Sequence, residues 1–204
     1  MDEVDLIREC KKGNLDAFSS LFEKYGRKAV RTVFLITGRS DIAEDIVQEA
    51  FIQCYLKIKK LRTPETFQAW FYRLLTRISW RYCSREKKHP RLENIDYQPR
   101  ELFIDDFTLS EAIEAREVRQ LIDRALEKLS IPMKTTIILY YFNELSIKEI
   151  AQAMGCFEGT AKSRLHNARK LLEKELQQKD FEGYLFRSIP IRKECNKNVN
   201  PGEV

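Results

Sequence analysis

Apolar positions return every three or four residues through most of the chain, the spacing of helices with one buried face. Leu6, Ile7 and Cys10 form a first short face. After a break at Lys12-Gly13-Asn14, Phe18, Leu21, Phe22, Tyr25, Ala29, Val30, Val33 and Phe34 form a second. Gly38-Arg39-Ser40-Asp41 reads as a turn with an N-cap at Ser40 or Asp41. Ile42, Ile46, Val47, Ala50, Phe51, Cys54, Tyr55 and Ile58 then predict a third helix. Lys57–Thr66 is a basic end and a loop, punctuated by Pro64. Phe67–Lys88 reads as one long helix with Trp70, Leu74 and Ile78 inward. Ser110–Leu129 resumes the helical period through Ala112, Ala115, Val118, Leu121, Ile122, Ala125 and Leu129. Pro132 suits the first helical position of a segment running on to Phe142. Seven Gly and six Pro in 204 residues also favour long helices over many short strands. The expected fold class is all-α.

The pattern is sharpest from Leu145 to Glu175. Ser146 with Glu149 three residues on makes a capping box. Ile147, Ile150, Ala151 and Met154 give the helix it opens one apolar face, and Gly155 ends it. A second stripe follows at Ala161, Leu165, Ala168 and Leu172. Between Thr160 and Lys170 this helix carries Lys162, Arg164, Arg169 and Lys170 and no acid. Two short helices around a glycine turn, the second basic and apolar-backed, suit a helix-turn-helix entering the major groove of DNA. A merely solvated face normally mixes charge signs.

Charge sharpens two more segments. The chain's formal net charge is only +5, yet Arg77, Arg81, Arg85, Lys87, Lys88 and Arg91 face Glu86 alone. Arginines interleaved with Trp80 and Tyr82 can hold a phosphate backbone while unstacked bases lie on rings. We therefore read Arg77, Trp80, Arg81 and Arg85 as nucleic-acid contacts, with the loop Lys60–Thr66 beside them. The outer side of the third helix is acidic and amide-rich at Asp41, Glu44, Asp45, Gln48, Glu49 and Gln53. On periodicity alone that is a solvated face; the sharper reading is a docking surface for a basic protein. Leu92–Glu114 carries seven acids against Arg100 and little periodicity before Ser110, as an acidic linker would. Such a strand could lie where nucleic acid later runs.

Other chemistry is sparse. Five scattered cysteines and two histidines offer no zinc ligand set. Reduced, mostly buried thiols are expected, with no cofactor. No apolar run spans a bilayer, and the acidic start Met1-Asp2-Glu3-Val4-Asp5 lacks the form of a signal peptide, so a cytoplasmic protein is expected. A nuclease would need clustered carboxylates, and the acids here lie on a helix face and in a linker. A stand-alone helix-turn-helix regulator would usually need a dimer helix, and none is evident.

Taken in order, Gly13–Phe18 (G-N-L-D-A-F), Asp41–Phe51, Phe67–Arg73, Ala125–Ser130 and the Leu145–Leu172 stretch resemble the bacterial sigma factors of the extracytoplasmic-function group. The resemblance covers nearly all of Asp5 to Leu176. It implies residues 1–90 as a helical domain that binds core RNA polymerase and melts and reads the −10 promoter element. Residues 91–110 would be a linker threading the polymerase cleft, and residues 111–178 a helix-turn-helix domain for the −35 element. Residues 179–204 form a tail with no assigned role. Asp41, Glu44, Asp45, Gln48 and Glu49 would dock on the polymerase clamp; Arg77, Trp80, Arg81 and Arg85 would handle the opened strand. Within the second domain, Lys162, Ser163, His166 and Asn167 would meet base edges, and Thr160, Arg164, Arg169 and Lys170 phosphates. The implied partners are core RNA polymerase, promoter DNA and an anti-sigma factor, and the protein itself would not be an enzyme. The chain departs from the family's usual residues at Arg77 and Arg81, where Asn and Asp are common, and at Phe157, where Pro or Ser is common.

Overall fold

The structure is a computed structural model that describes residues 2–88, 122 and 124–175. Four helices make the N-terminal unit: α1 (Glu3–Lys12), α2 (Leu15–Thr37), α3 (Ala43–Lys57) and α4 (Phe67–Lys88). The C-terminal unit holds α5 (Ile131–Ile137), which widens into a π turn over Ile138–Phe142, then α6 (Ile147–Met154) and α7 (Glu158–Glu175). Among the described residues there is no strand, and no helix is long and apolar enough to cross a membrane.

Local signals set most boundaries. The break after α1 works through Asn14, whose side chain accepts from the Asp16 and Ala17 amides and so starts α2. The start of α3 differs from the sequence reading. The N-cap is Ile42, one residue beyond the two expected, and it makes no side-chain cap hydrogen bond; the Ser40 carbonyl accepts the Ala43 amide, and the Asp41 carboxylate accepts from Arg39 Nε at 2.7 Å. That hydrogen bond also holds the Asp41 carboxyl below its ordinary pKa.

The N-terminal core is aromatic. Tyr25, Phe51, Phe67, Phe71 and Tyr72 meet mostly edge-on, with centroids 4.9–5.8 Å apart. Such pairs add about 0.5–1.5 kcal/mol each beyond the area they bury. The Tyr25 hydroxyl donates to Glu3 Oε1 at 2.8 Å and ties α1 to α2. The expected inward residues of α1, α2 and α3 are largely buried, but Phe22 of α2 and Tyr55 of α3 are 49% and 45% exposed. On α4, Ile78 is buried whereas Trp70 and Leu74 lie at the core's margin. Phe67, Phe71, Tyr72 and Leu75 are fully buried, and the polar Thr76 and Ser79 that follow are buried too. The reason is that α4 is covered on two sides, by α2 and α3 on one and by α6 on the other.

In the C-terminal unit, α7 turns Leu165, Ala168 and Leu172 onto Ile122, Ala125, Leu126, Leu129, Ile137 and Tyr141. The two units share a core: Leu139, Leu145, Ile150, Ala151, Ala153 and Ala161 pack with the residues of α1–α4.

Candidate nucleic-acid and polymerase interfaces

The helix-turn-helix forms as its sequence directs. The Ser146 hydroxyl accepts from the Glu149 amide, and the Glu149 carboxylate accepts from the Ser146 amide at 2.8 Å, completing the capping box. Gly155 takes φ +63°, a left-handed turn that a side chain would strain. Ala161, Leu165, Ala168 and Leu172 are buried, so at about 100° per residue the opposite side of α7 faces outward. There Lys162, Ser163, His166, Asn167 and Lys170 are exposed, while Thr160, Arg164 and Arg169 are half-buried on the flanks. Arg169 is held from behind: its Nε donates to Tyr141 Oη at 2.6 Å. Its guanidinium lies 5.3 and 5.2 Å from the Tyr140 and Tyr141 ring centroids. Phe157, in the turn, is 86% exposed.

The second basic surface is on α4. Arg77, Arg81 and Arg85 are exposed, and Arg73, which sequence reading passed over, extends them into a ladder at four-residue spacing. Trp80 stands apart from the ladder. It is half-buried, and its Nε1 donates to Thr135 Oγ1 of α5 at 3.0 Å. The loop before α4 is made of two short 3-10 turns and exposes Lys60 and Arg62.

On α3, Glu44, Asp45 and Gln48 are exposed, as is Asp41 just before it. Glu49 is different. Its carboxylate takes an ion pair from Arg81, and the two line a groove of about 430 Å³ with Gln53, Lys57, Leu74, Arg77 and Ile78. Sequence reading had given Glu49 and Arg81 to separate surfaces; the fold joins them, because α3 and α4 pack side by side. It had also missed apolar exposure on the same helix. Ile52 and Leu56 are 52% and 65% exposed, with Leu15 and Phe22 of α2 at 62% and 49%. The signal was available: neither Ile52 nor Leu56 falls on the inward stripe of α3. The linker acids, the part of the expected Ser110–Leu129 helix before residue 122 and the tail lie outside the described residues. Among the described residues, no cluster of His, Cys, Asp and Glu could hold a metal ion.

Comparison with known proteins agrees with this arrangement. Residues 21–89 match the family model of Sigma-70 region 2, and residues 119–172 that of Sigma-70, region 4. The ECF RNA polymerase sigma factor SigW of Bacillus subtilis is 30% identical over 84% of this chain and 95% of its own length. The ECF RNA polymerase sigma-E factor of Escherichia coli K12 is 30% identical over 86% of this chain and 94% of its own. The fold is shared with the sigma factor RpoE of Bartonella quintana, solved in complex with the anti-sigma factor NepR. Its TM-score is 0.61 at 22% identity, covering 78% of this chain and 96% of that one. These relations disfavour a stand-alone helix-turn-helix regulator, and the chain belongs to the extracytoplasmic-function sigma factors, which direct RNA polymerase to promoters.

Proposed function

We propose a division of labour over three surfaces. Residues 1–90 dock on core polymerase through Asp41, Glu44, Asp45, Gln48 and Glu49, with Ile52 and Leu56 continuing the contact. In the same domain, Arg77, Arg81, Arg85 and Trp80 engage the opened −10 strand, joined by Arg73. Residues 111–178 bind the −35 element as duplex, with Lys162, Ser163, His166 and Asn167 at base edges. Thr160, Arg164 and Lys170 meet phosphates, and Arg169 joins them only as far as its hold on Tyr141 allows. Residues 91–110 link the two through the polymerase cleft. Synthesis stays with the polymerase, so this protein supplies specificity and no catalytic group, and it works in the cytoplasm.

The observation that supports this reading best is the separation of charge. An exposed acidic face on α3 accompanies two basic fronts, on α4 and α7, in different folding units. Phosphate contacts fix register and base-edge contacts fix sequence, and α7 offers both residue kinds. An anti-sigma factor, as bound by the Bartonella relative, is the proposed regulator here too. Co-purification with core polymerase followed by run-off transcription over a genomic fragment pool tests the reading. A chain that neither joins core enzyme nor yields promoter-specific transcripts would refute it.

A further inference from the structure

Phe157 is the most exposed large apolar side chain among the described residues, at 86%. The other exposed ones lie on α2, on α3 or near the end of α7. Its backbone is held. The carbonyl accepts the Ala161 amide at 3.1 Å, which puts Phe157 at the N-cap position of α7, and Cys156 beside it packs on the core. Neither capping nor packing accounts for the ring. A phenyl group offers no acceptor to the orphan amides of the first turn, where Ser, Thr, Asp or Asn would stabilise the helix. Nor does it bury its apolar surface in its own fold. Gly159, in that same first turn, is exposed, and glycine destabilises a helix relative to alanine. Yet a Cβ there would meet nothing within 4 Å, so the fold does not require the glycine. Two residues that weaken the start of α7 stand together at the end that leads into the groove.

Position and chemistry choose the partner. A recognition helix presents its N-terminal residues to base edges. In the major groove only thymine carries a 5-methyl group, and an apolar side chain such as Phe packs on it. Bare backbone at Gly159 lets the first turn come close to the duplex. Lys162 follows Phe157 by five positions, about 7.5 Å along the helix at about 1.5 Å per residue. That is about two steps of duplex at about 3.4 Å each. Resting on the −35 assignment of α7 above, we propose that Phe157 is a specificity-determining residue. Its ring packs against the 5-methyl group of a thymine in the −35 element, within about three base steps of the position that Lys162 reads. Burying one methyl group in such a contact is worth about fourfold in binding.

Holoenzyme is reconstituted from core polymerase and the full chain, as parent, Phe157→Ala or Phe157→Leu. Each is scored by transcription on a −35 substitution library built on a promoter recovered by the run-off assay. The parent should prefer thymine close to the position that Lys162→Ala relaxes. Phe157→Ala should lose that preference about fourfold and keep the others, and Phe157→Leu should retain most of it. Promoter fragments with deoxyuridine in place of that thymine remove the methyl group alone. The parent should bind them about fourfold more weakly than the thymine fragment, whereas Phe157→Ala should bind both alike. Gly159→Ala should melt no lower than the parent yet weaken holoenzyme binding across all promoter sequences. A parent with no thymine preference in the element, or one blind to the methyl group, overturns the proposal without recourse to any variant. So does a Phe157→Ala holoenzyme that keeps the parent's base profile or loses binding uniformly across sequences. Weakened binding of Phe157→Ala to core polymerase overturns it too, by marking the ring as a protein contact. Full promoter binding by Gly159→Ala overturns the close approach. A parent holoenzyme that joins core but is indifferent to every −35 position would instead sink the −35 assignment of α7 itself.

Discussion

Replacing Arg169 by Ala tests whether the recognition helix is read correctly, because its side chain has two possible employers. As a phosphate contact alone, its loss would leave stability within about 0.5 kcal/mol, as for most surface substitutions. It would also lower the salt slope of promoter binding by about 0.9. The geometry argues for a larger structural share. A hydrogen bond from a charged donor contributes about 1.5–3 kcal/mol, and Nε lies 2.6 Å from Tyr141 Oη. Guanidinium–ring contacts add about 0.5–1 kcal/mol at accessible sites. Arg169 is half-buried, so the low end of each applies, and the sum is about 2 kcal/mol. For a chain of this size melting as one that is a fall of roughly 4–8 °C in melting temperature. Urea unfolding of the wild type, Arg169→Ala, Tyr141→Phe and the double variant measures it directly. Tyr141→Phe keeps the ring and removes the acceptor, so the cycle isolates the hydrogen bond, with a coupling of about 1–2 kcal/mol expected. Additive effects, with Arg169→Ala costing less than about 0.5 kcal/mol, would refute the structural role and return this residue wholly to the DNA backbone.

Lys162→Ala should cost about 1–3 kcal/mol in promoter binding and relax preference at one or two −35 positions; a −35 substitution library scored by transcription checks it, and a uniform loss across sequences would contradict it. Glu44→Arg with Asp45→Arg should abolish co-purification with core polymerase while leaving the circular dichroism unchanged, since both side chains are exposed. Alkaline pH should weaken the fold. Burial pushes the Cys54 thiol up to about 12, raises the Cys10 thiol, and lifts the Tyr25 and Tyr72 hydroxyls. Each folded pKa then lies above its unfolded value, so the unfolded chain loses its protons first and stability falls as pH rises past about 8.5. Cys10→Ala with Cys54→Ala should delay the fall to about pH 10, where tyrosines ordinarily titrate; urea midpoints between pH 7 and 11 that decline identically in both proteins would count against it.

What could be read from the sequence was whatever depends on near neighbours. The Ser146–Glu149 box, the turn at Gly155 and the buried stripe of α7 all rest on residues within a few positions of one another, and each formed as expected. The exposed acids of α3 followed from the same periodicity. The errors arise where distant elements meet. Trp70 and Leu74 were expected inward because α4 was read as having one buried side, and α6 covers a second. Glu49 and Arg81 were assigned apart because no local signal pairs residues on neighbouring helices. Asn143 meets Thr32 and Tyr72 across more than seventy positions of chain, and its neighbours Phe142 and Glu144 give no hint of it. Tyr141 was read only as part of a packing segment, although its hydroxyl orients Arg169 from behind.

The second covered side of α4 also bears on how the molecule comes apart. Tyr72 belongs to the aromatic core of the N-terminal helices and also supplies the acceptor that Asn143 needs. Loosening either unit therefore removes contacts from the other. Two sequence-separate units coupled this way melt together: a calorimetric scan of the free chain should show one heat-absorption peak, with van't Hoff and calorimetric enthalpies in agreement. Substitutions on the far side of α1, remote from the shared core, should then lower the melting temperature of α7 as much as that of α2.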